Sequence, residues 1–310
     1  MKSTKFSVKL IIMTLLLVTS VLISLSACTS PANTTTPATT TPTTTSPVSS
    51  PPATTASPSP SITPSSTPSG TPASFTIDVA SKPGIGNYLV DANGMTLYYF
   101  AKDVNGQSNA TGAVLQTWPI FKAESISVPS TLSASDFSTI TRSDGLMQST
   151  YRGWPLYNFA NDKAPGDTKG DGFNSVWFLV KIPFYTVMLE SRTDLGTFFV
   201  DPRGMTLYYN NTDSIGQSHQ SGSIISIWPI FNVGSFIVPS TLQQSDFGTI
   251  TRSDGQQQVT YKGFPLYYYA NDKVSGDATG NGLNSVWFVI NITNFPPTPS
   301  PTPATGGGGY

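Results

Sequence analysis

Short apolar runs alternate with turn residues along much of the chain, which is the pattern of β-strands joined by tight turns. Residues 87–100 carry an Asp-Ala-Asn-Gly turn between two apolar runs and predict a β-hairpin. Residues 138–159 predict a meander, and residues 175–181 predict another strand. Beyond a short turn near residues 130–137, no apolar positions keep the 3.6-residue spacing of a helix. The sequence therefore predicts an all-β protein.

The β-rich part of the chain is an internal duplication whose two copies align without gaps. The sequence Trp-Pro-Ile-Phe at residues 118–121 returns at residues 228–231. Aligning residues 81–180 with residues 191–290 gives 55 identities in 100 positions. Identity at this level over a fixed period indicates two homologous copies. We therefore predict two β-rich lobes, at residues 75–184 and 185–295, related by pseudo-twofold symmetry.

A weaker repeat divides each copy into two quarter-units, so that Leu97 and Trp118 correspond to Leu156 and Trp177. Every quarter-unit contains the motif Tyr-x4-Asp, at Tyr98 and Asp103, Tyr157 and Asp162, Tyr208 and Asp213, and Tyr267 and Asp272. Four such units predict lobes of antiparallel meanders or hairpins that form a sandwich- or barrel-like fold. A four-bladed propeller-like ring is the alternative.

Aromatic residues occupy both faces of the strand that carries the motif. Leu97 and Tyr99 share one face because side chains alternate along a strand, and this mostly apolar face is the expected core. Tyr98 and Phe100 lie on the opposite face. They form either a second buried face or an exposed aromatic platform for a glycan. We favour the buried face because Tyr and Trp are often largely buried.

Residues 1–28 have the pattern of an export signal. A basic start with Lys2, Lys5 and Lys9 precedes a largely apolar stretch at residues 10–25, which is short for a membrane-spanning helix. Residues 25–28 read Leu-Ser-Ala-Cys and match a bacterial lipobox. We predict that residues 1–27 are a lipoprotein signal peptide and that Cys28 is the lipid attachment site. An ordinary secretory signal with an incidental cysteine is the alternative.

Two low-complexity segments flank the duplicated body. In residues 29–74, 37 of the 46 residues are Ser, Thr or Pro and none is charged. Such a segment buries too little apolar surface to offset its ordering entropy. Residues 28–74 are therefore predicted to be a lipidated cysteine followed by a disordered stalk, and residues 296–310 a Pro/Gly-rich disordered tail.

Composition excludes several classes of function. Without its three N-terminal lysines the chain keeps 13 of its 16 basic residues against 17 acidic ones. This balance gives no basic footprint for nucleic acid. One cysteine and one histidine leave no zinc cluster and no disulfide framework. We find no nucleophile, base and orienter set, and we predict no catalytic residues and no cofactor.

The motif aspartates have two interpretations. Each carboxylate either fixes the turn after its strand, by accepting N–H or Tyr hydroxyl hydrogen bonds, or binds a ligand. Recurrence in all four quarter-units favours the structural role, because a repeated scaffold needs the same turn each time. We expect each aspartate to pair with the tyrosine of its own motif. A calcium loop is a weak candidate because the spacing departs from the EF-hand template; its residues would be Asp162, Asp167 and Asp171, with Asp272 and Asp277 in the second copy.

The sequence resembles the bacterial lipoproteins built from the "secreted repeat of unknown function". The stretches that carry the resemblance are residues 94–103, 151–163 and 166–178, and their counterparts at residues 204–213, 261–273 and 276–288. The resemblance implies tandem Tyr-x4-Asp units and a lipoprotein, and it implies no activity. Family members often carry a cysteine pair before the Trp-Pro segment. Here Ala110 and Val114 stand at those positions, so no disulfide or thiol chemistry is expected.

Together these features predict a lipid-anchored lipoprotein of the bacterial cell envelope with its body outside the cytoplasm. We expect a non-catalytic binding or structural module whose partners are the membrane, through the anchor, and an envelope glycan or protein. The alternative is a hydrolase that uses an Asp pair on cell-wall or extracellular polysaccharide.

Overall fold

The computed structural model describes residues 75–295. The predicted signal peptide, Cys28, the stalk and the tail lie outside the described residues. Within residues 75–295 the fold is nearly all β, with two one-turn α-helices and three short 3-10 turns. The prediction of an all-β class is confirmed. No described helix has the length and apolar character needed to cross a membrane.

Residues 75–184 are called lobe 1 and residues 185–295 lobe 2. The elements of lobe 1 are β1 (Ile77–Lys82), β2 (Gly86–Asp91), β3 (Tyr98–Phe100), α1 (Val114–Thr117), a 3-10 turn (Ala134–Asp136), β4 (Phe137–Thr141), β5 (Met147–Tyr151), β6 (Trp154–Pro155), β7 (Trp177–Leu179) and β8 (Lys181–Ile182). The elements of lobe 2 are β9 (Met188–Arg192), β10 (Gly196–Val200), β11 (Tyr208–Asn210), α2 (Ile224–Ile227), a 3-10 turn (Gln244–Asp246), β12 (Phe247–Thr251), β13 (Gln257–Tyr261), β14 (Phe264–Pro265), a 3-10 turn (Leu283–Ser285) and β15 (Trp287–Val289).

The strands form several small antiparallel sheets, and no closed barrel is found among the described residues. In lobe 1 the sheets have the orders β1-β2-β8, β4-β5-β6 and β3-β7, and lobe 2 repeats this plan with β10-β9, β12-β13-β14 and β11-β15. The predicted hairpin at residues 87–100 forms around the Val90–Thr96 bridge. Its second arm then leaves the hairpin, because β3 pairs with β7.

Within each lobe the two quarter-units exchange equivalent contacts. Tyr98 N donates to Tyr157 O at 2.8 Å, and Tyr157 N donates to Tyr98 O at 2.9 Å. Tyr208 and Tyr267 form the same pair of hydrogen bonds in lobe 2. Reciprocal contacts of this kind are the property of a twofold arrangement. The four quarter-units are therefore organised as two pseudo-twofold pairs.

The two lobes contact each other without this reciprocity, so the expected pseudo-twofold relation between lobes is wrong. A side chain at Gly172 of lobe 1 would meet Ser240 and Thr241 of lobe 2, with Ser240 Oγ 3.3 Å from its Cβ. The equivalent residue of lobe 2, Gly282, has nothing within 4 Å of the same position. Lobe 2 therefore uses a different surface from the one that lobe 1 presents to it, which is a head-to-tail arrangement.

Both faces of the motif strand are buried, as the favoured interpretation of the sequence predicts. Leu97 and Tyr99 are 0% exposed, Tyr98 is 0% exposed and Phe100 is 7% exposed. Leu97 and Tyr99 belong to a large core that extends through both lobes. Tyr98 and Phe100 belong to a second core within lobe 1. The aromatic residues of the second face therefore stabilise the fold and present no exposed platform.

Candidate functional site

The motif residues of lobe 1 meet in a buried pair of tyrosine–aspartate contacts, and the partners are exchanged between quarter-units. The Tyr98 hydroxyl donates to Asp162 Oδ2 at 2.7 Å. The Tyr157 hydroxyl donates to Asp103 Oδ2 at 2.7 Å. Each tyrosine thus bonds the aspartate of the other motif, and the expected pairing of Tyr157 with Asp162 is corrected. The reason is the pseudo-twofold axis between Tyr98 and Tyr157, across which each hydroxyl reaches its neighbour's turn.

Lobe 2 repeats the exchange. The Tyr208 hydroxyl donates to Asp272 Oδ2 at 2.6 Å, and the Tyr267 hydroxyl donates to Asp213 Oδ2 at 2.7 Å. All four aspartates are at most 6% exposed. The same buried contact occurs four times, once for each quarter-unit, which indicates a structural role.

The second oxygen of each aspartate accepts a backbone hydrogen bond and so fixes the following loop. Asp103 Oδ1 accepts from Asn109 N at 2.6 Å, and Asp162 Oδ1 accepts from Lys169 N at 3.0 Å. Burial raises the pKa of Asp103 to about 7, against the lowering effect of the Asn109 amide, the Tyr157 hydroxyl and Arg142. Burial also raises the pKa of Tyr98 well above its usual value, and the Asp162 carboxylate adds to this shift. The tyrosines therefore stay protonated and act as donors.

A buried arginine extends the network in each lobe, and its only trace in the sequence is the repeated Thr-Arg-Ser-Asp segment. Arg142 donates through Nη1 to Ser108 Oγ and to Gln148 Oε1, the latter at 2.8 Å. Ser108 Oγ lies 2.7 Å from the Tyr157 hydroxyl. Asp144, which is exposed, forms the salt bridge with Arg142. The guanidinium therefore links the Tyr157–Asp103 pair to the β4–β5 hairpin.

A stack of aromatic rings crosses the pseudo-twofold axis of lobe 1, with two rings from each quarter-unit. The indoles of Trp118 and Trp177 lie parallel, with centroids 3.9 Å apart. Phe159 stacks on Trp118 at 4.2 Å, and Phe100 stacks on Trp177 at 4.0 Å. Gly170 passes so close to this stack that a Cβ would lie 2.7 Å from Trp118. The glycine is therefore needed for the approach of the backbone to the rings.

In lobe 2 the stack loses one ring. Tyr269, Trp228 and Trp287 stack as their counterparts do, with the two indoles 3.8 Å apart. Asn210 stands where lobe 1 has Phe100, and its Oδ1 accepts hydrogen bonds from the backbone N–H and the hydroxyl of Thr212. Since Asn210 is only 2% exposed, the substitution changes the core and creates no open aromatic surface.

The loop that resembles a calcium site in composition directs its carboxylates to donors within the protein. Asp167 Oδ2 accepts from Lys163 N and from Lys169 Nζ, both at 2.8 Å. Asp171 Oδ1 accepts from Leu179 N at 3.2 Å. Nowhere in residues 75–295 do three or more acidic, His or Cys side chains form a group able to hold a metal ion. The candidate ligands are not brought together.

One acidic side chain that sequence reasoning missed is buried without a partner. Glu190 in β9 is 1% exposed, and neither of its carboxylate oxygens has a hydrogen bond. Desolvation raises its pKa to about 7, although the nearby Arg192 lowers it. Its counterpart in lobe 1 is Ala80. Because a single copy carries this acid, comparison of the two copies is the signal that could have found it.

Lobe 2 has a solvent-open cleft with a volume of about 450 Å³, called the open cleft. Tyr209, Phe288 and Phe295 supply its aromatic surface. Its polar residues are Asp194, Asn281, Asn291 and Asn294. The matching region of lobe 1 lies against lobe 2, where residues 236–244 form the far wall of a smaller groove of about 310 Å³. The open cleft is therefore the uncovered equivalent of a surface that lobe 1 uses to hold lobe 2.

Comparison with known proteins places the quarter-unit in a family. Residues 80–122, 138–181 and 248–291 each match the family described as a secreted repeat of unknown function. These matches fall on the first, second and fourth quarter-units, while the third, which contains Glu190 and Asn210, lies outside them. No curated protein and no solved structure matches the chain.

Proposed function

We propose that this chain, three stretches of which match the family of the secreted repeat of unknown function, is a non-catalytic binding or structural module of the bacterial cell envelope. Residues 1–27 would be removed after export, and Cys28 would carry the lipid anchor. The stalk at residues 28–74 would then hold the two lobes away from the membrane. The secreted family supports a location in the envelope or outside the cell, and the lipobox supports the anchor.

The observation that carries the non-catalytic role is the use of the motif residues within the fold. All four motif aspartates are buried, and each bonds a tyrosine of the paired quarter-unit. A glycosidase instead needs two carboxyl groups that both reach the substrate. Asp194 is the single acidic residue on the wall of the open cleft. This arrangement supports a binding or structural module rather than a polysaccharide hydrolase.

Two measurements test the proposal. The full chain and its Cys28→Ser variant are expressed in a bacterial host and partitioned with detergent. We expect the parent chain to partition into the detergent phase. The variant should lack the mass of the lipid, and its signal peptide should be uncleaved or cleaved at a different position. A variant that stays membrane-bound at the normal mature mass would contradict the anchor.

The catalytic alternative is tested on cell-wall polysaccharide. We expect no new reducing ends after incubation with the chain lacking residues 1–28. Release of reducing ends that disappears in Asp194→Asn, with the melting temperature unchanged, would support the hydrolase and overturn the proposed role.

A further inference from the structure

We propose that a second copy of this chain docks on the open cleft of lobe 2 through the free face of its lobe 1, so that the molecules assemble head to tail. This inference deepens the proposed structural role by naming the partner. The internal junction between the two lobes is its template. The lobes are homologous and meet through two different, complementary surfaces. Each lobe therefore has one of these surfaces buried in the internal junction and a counterpart of the other surface that is not covered.

The internal junction has two patches. In the first, Ser240 and Thr241 of lobe 2 lie against Gly172 of lobe 1. In the second, Asn105 N of lobe 1 donates to Ser275 Oγ of lobe 2 at 3.0 Å. A backbone hydrogen bond from Ser191 N to Ala101 O, at 2.6 Å, lies at the same junction. These contacts define the surface that lobe 1 offers and the surface that lobe 2 offers.

The surface that lobe 2 offers is repeated, unused, on lobe 1. The sequence Val-Pro-Ser-Thr-Leu at residues 238–242 is identical at residues 128–132. Val238 and Pro239 are buried at the junction, whereas Val128 and Pro129 are only partly buried. The five residues that hold lobe 2 against lobe 1 are therefore present a second time, with more of their apolar surface in contact with water.

The surface that lobe 1 offers is likewise repeated, unused, on lobe 2. Gly282 is the counterpart of Gly172 and keeps open space where Gly172 meets lobe 2. Ile215 is the counterpart of Asn105, and it is 74% exposed. Asn281, which precedes Gly282 in the chain, lines the open cleft of about 450 Å³. Lobe 2 therefore leaves exposed to water the counterparts of the two positions through which lobe 1 contacts it.

The unused residues also match each other in chemistry. At the internal junction the backbone N–H of Asn105 donates to the Ser275 hydroxyl oxygen in the second patch. At the proposed junction the equivalent residues are Ile215 and Pro165, and both are apolar. Apolar contact between Ile215 and Pro165 would therefore replace this hydrogen bond, because the proline side chain has no acceptor for the Ile215 backbone N–H. This patch is thus expected to bind more weakly than its internal counterpart. Glu190, the buried acid beside the internal junction, is replaced by Ala80, so the proposed junction buries no carboxylate there.

A second copy fits these observations better than a glycan or the chain's own tail. A glycan would explain the cleft but would leave the free Val-Pro-Ser-Thr-Leu face of lobe 1 without a role. A head-to-tail contact joins molecules into an open chain, or into a ring where its rotation closes. The contact would be weaker than the internal junction, whose two halves are held at high effective concentration by a short linker. Anchoring in one membrane would raise the local concentration in the same way.

A disulfide trap tests the geometry. The chain expressed from residue 29 contains no cysteine and keeps every described residue. The double variant Pro165→Cys/Ile215→Cys is expected to form, under mild oxidation at high protein concentration, a ladder of dimers, trimers and longer multimers on a non-reducing gel. The matched control is Asn105→Cys/Ser275→Cys, which places the same crosslink on the internal junction and should remain a monomer. Absence of intermolecular cross-links under these conditions would overturn the proposed contact.

Sedimentation velocity of the cysteine-free chain tests the affinity without a crosslink. We expect the average mass to rise with concentration, and Ile215→Lys to remove this rise without changing the melting temperature. A parent chain that stays monomeric, alone and when tethered by an N-terminal His-tag to vesicles containing nickel-chelating lipid, would overturn the proposal. Assembly only after removal of residues 296–310 would also overturn it and assign the cleft to the tail. Since this chain lacks Cys28, failure of the anchor and failure of assembly give separate results.

Discussion

The exchange of tyrosine–aspartate partners between quarter-units predicts a specific pattern of energetic coupling. The Tyr157 hydroxyl lies between Asp103 Oδ2 and Ser108 Oγ, at 2.7 Å from each. Tyr157→Phe removes a buried hydrogen bond to an acidic group and leaves the carboxylate oxygen without its donor. Such a loss costs about 2 kcal/mol of unfolding free energy. Asp103→Asn is expected to cost a similar amount, because it also weakens the acceptor for the Asn109 amide.

The double variant separates the structural pairing from simple proximity in sequence. For Tyr157→Phe combined with Asp103→Asn we expect a coupling free energy of about 1–2 kcal/mol, since both changes remove the same contact. For Tyr157→Phe combined with Asp162→Asn we expect less than about 0.5 kcal/mol, because these side chains share no hydrogen bond. Urea unfolding followed by tryptophan fluorescence measures all four corners of each cycle.

The matched cycle in lobe 2 uses Tyr267→Phe and Asp213→Asn, whose contact is also 2.7 Å long. It should give a coupling of the same size as the cycle at Tyr157 and Asp103. Stronger coupling of Tyr157 to Asp162 than to Asp103 would refute the exchange. Unchanged stability in every single variant would refute the structural role itself and return the four aspartates to the status of ligand groups.

Two further predictions concern stability. The pKa of Glu190 is raised from 4.5 to about 7 in the folded protein, so the folded state binds its proton more tightly and this carboxyl lowers stability as the pH rises from about 4.5 to about 7. The full loss of unfolding free energy is about 3 kcal/mol. In Glu190→Gln the melting temperature should therefore fall less over this pH range, although Asp103, whose pKa is also raised, should still cause part of the decrease. A pH profile identical to that of the parent protein would show that Glu190 is hydrated. Gly170→Ala places a methyl group 2.7 Å from Trp118 and should cost about 1–3 kcal/mol by overpacking, while Gly234→Ala, with open space around its Cβ position, should leave urea unfolding almost unchanged; equal effects would mean that the stack yields.

The sequence was sufficient for the class of fold and for the buried aromatic faces. Alternation along residues 95–100 places Tyr98 and Tyr99 on opposite faces, and both are 0% exposed. The predicted turn at residues 91–94 is also present, with Gly94 N donating to Asp91 O at 2.8 Å. These features depend on neighbours along the chain, so periodicity and turn chemistry determine them.

The partners of the motif residues could not be predicted in the same way. Asp162 lies 64 positions from Tyr98, and Asp103 lies 54 positions from Tyr157. The repeat between quarter-units is compatible with units that stand side by side and with units that exchange contacts around an axis. Only the second arrangement brings each hydroxyl to the other unit's turn. The buried Arg142 was missed for a related reason, because its partners Ser108 and Gln148 come from other segments.

The same limit applies to the relation between lobes and explains why head-to-tail assembly follows from the structure rather than from the sequence. Identity between the copies shows that the lobes fold alike, and it is equally compatible with a twofold pair and with a head-to-tail pair. In a twofold pair Gly282 would contact Ser130 and Thr131 as Gly172 contacts Ser240 and Thr241. The open space at Gly282 excludes this. Duplication followed by a non-reciprocal junction leaves one unused surface of each kind, and repeat proteins normally cover such ends with polar capping units. Here the ends keep Ile215 exposed and the Val-Pro-Ser-Thr-Leu sequence intact, so the molecule retains at both ends the surfaces by which its own halves recognise each other.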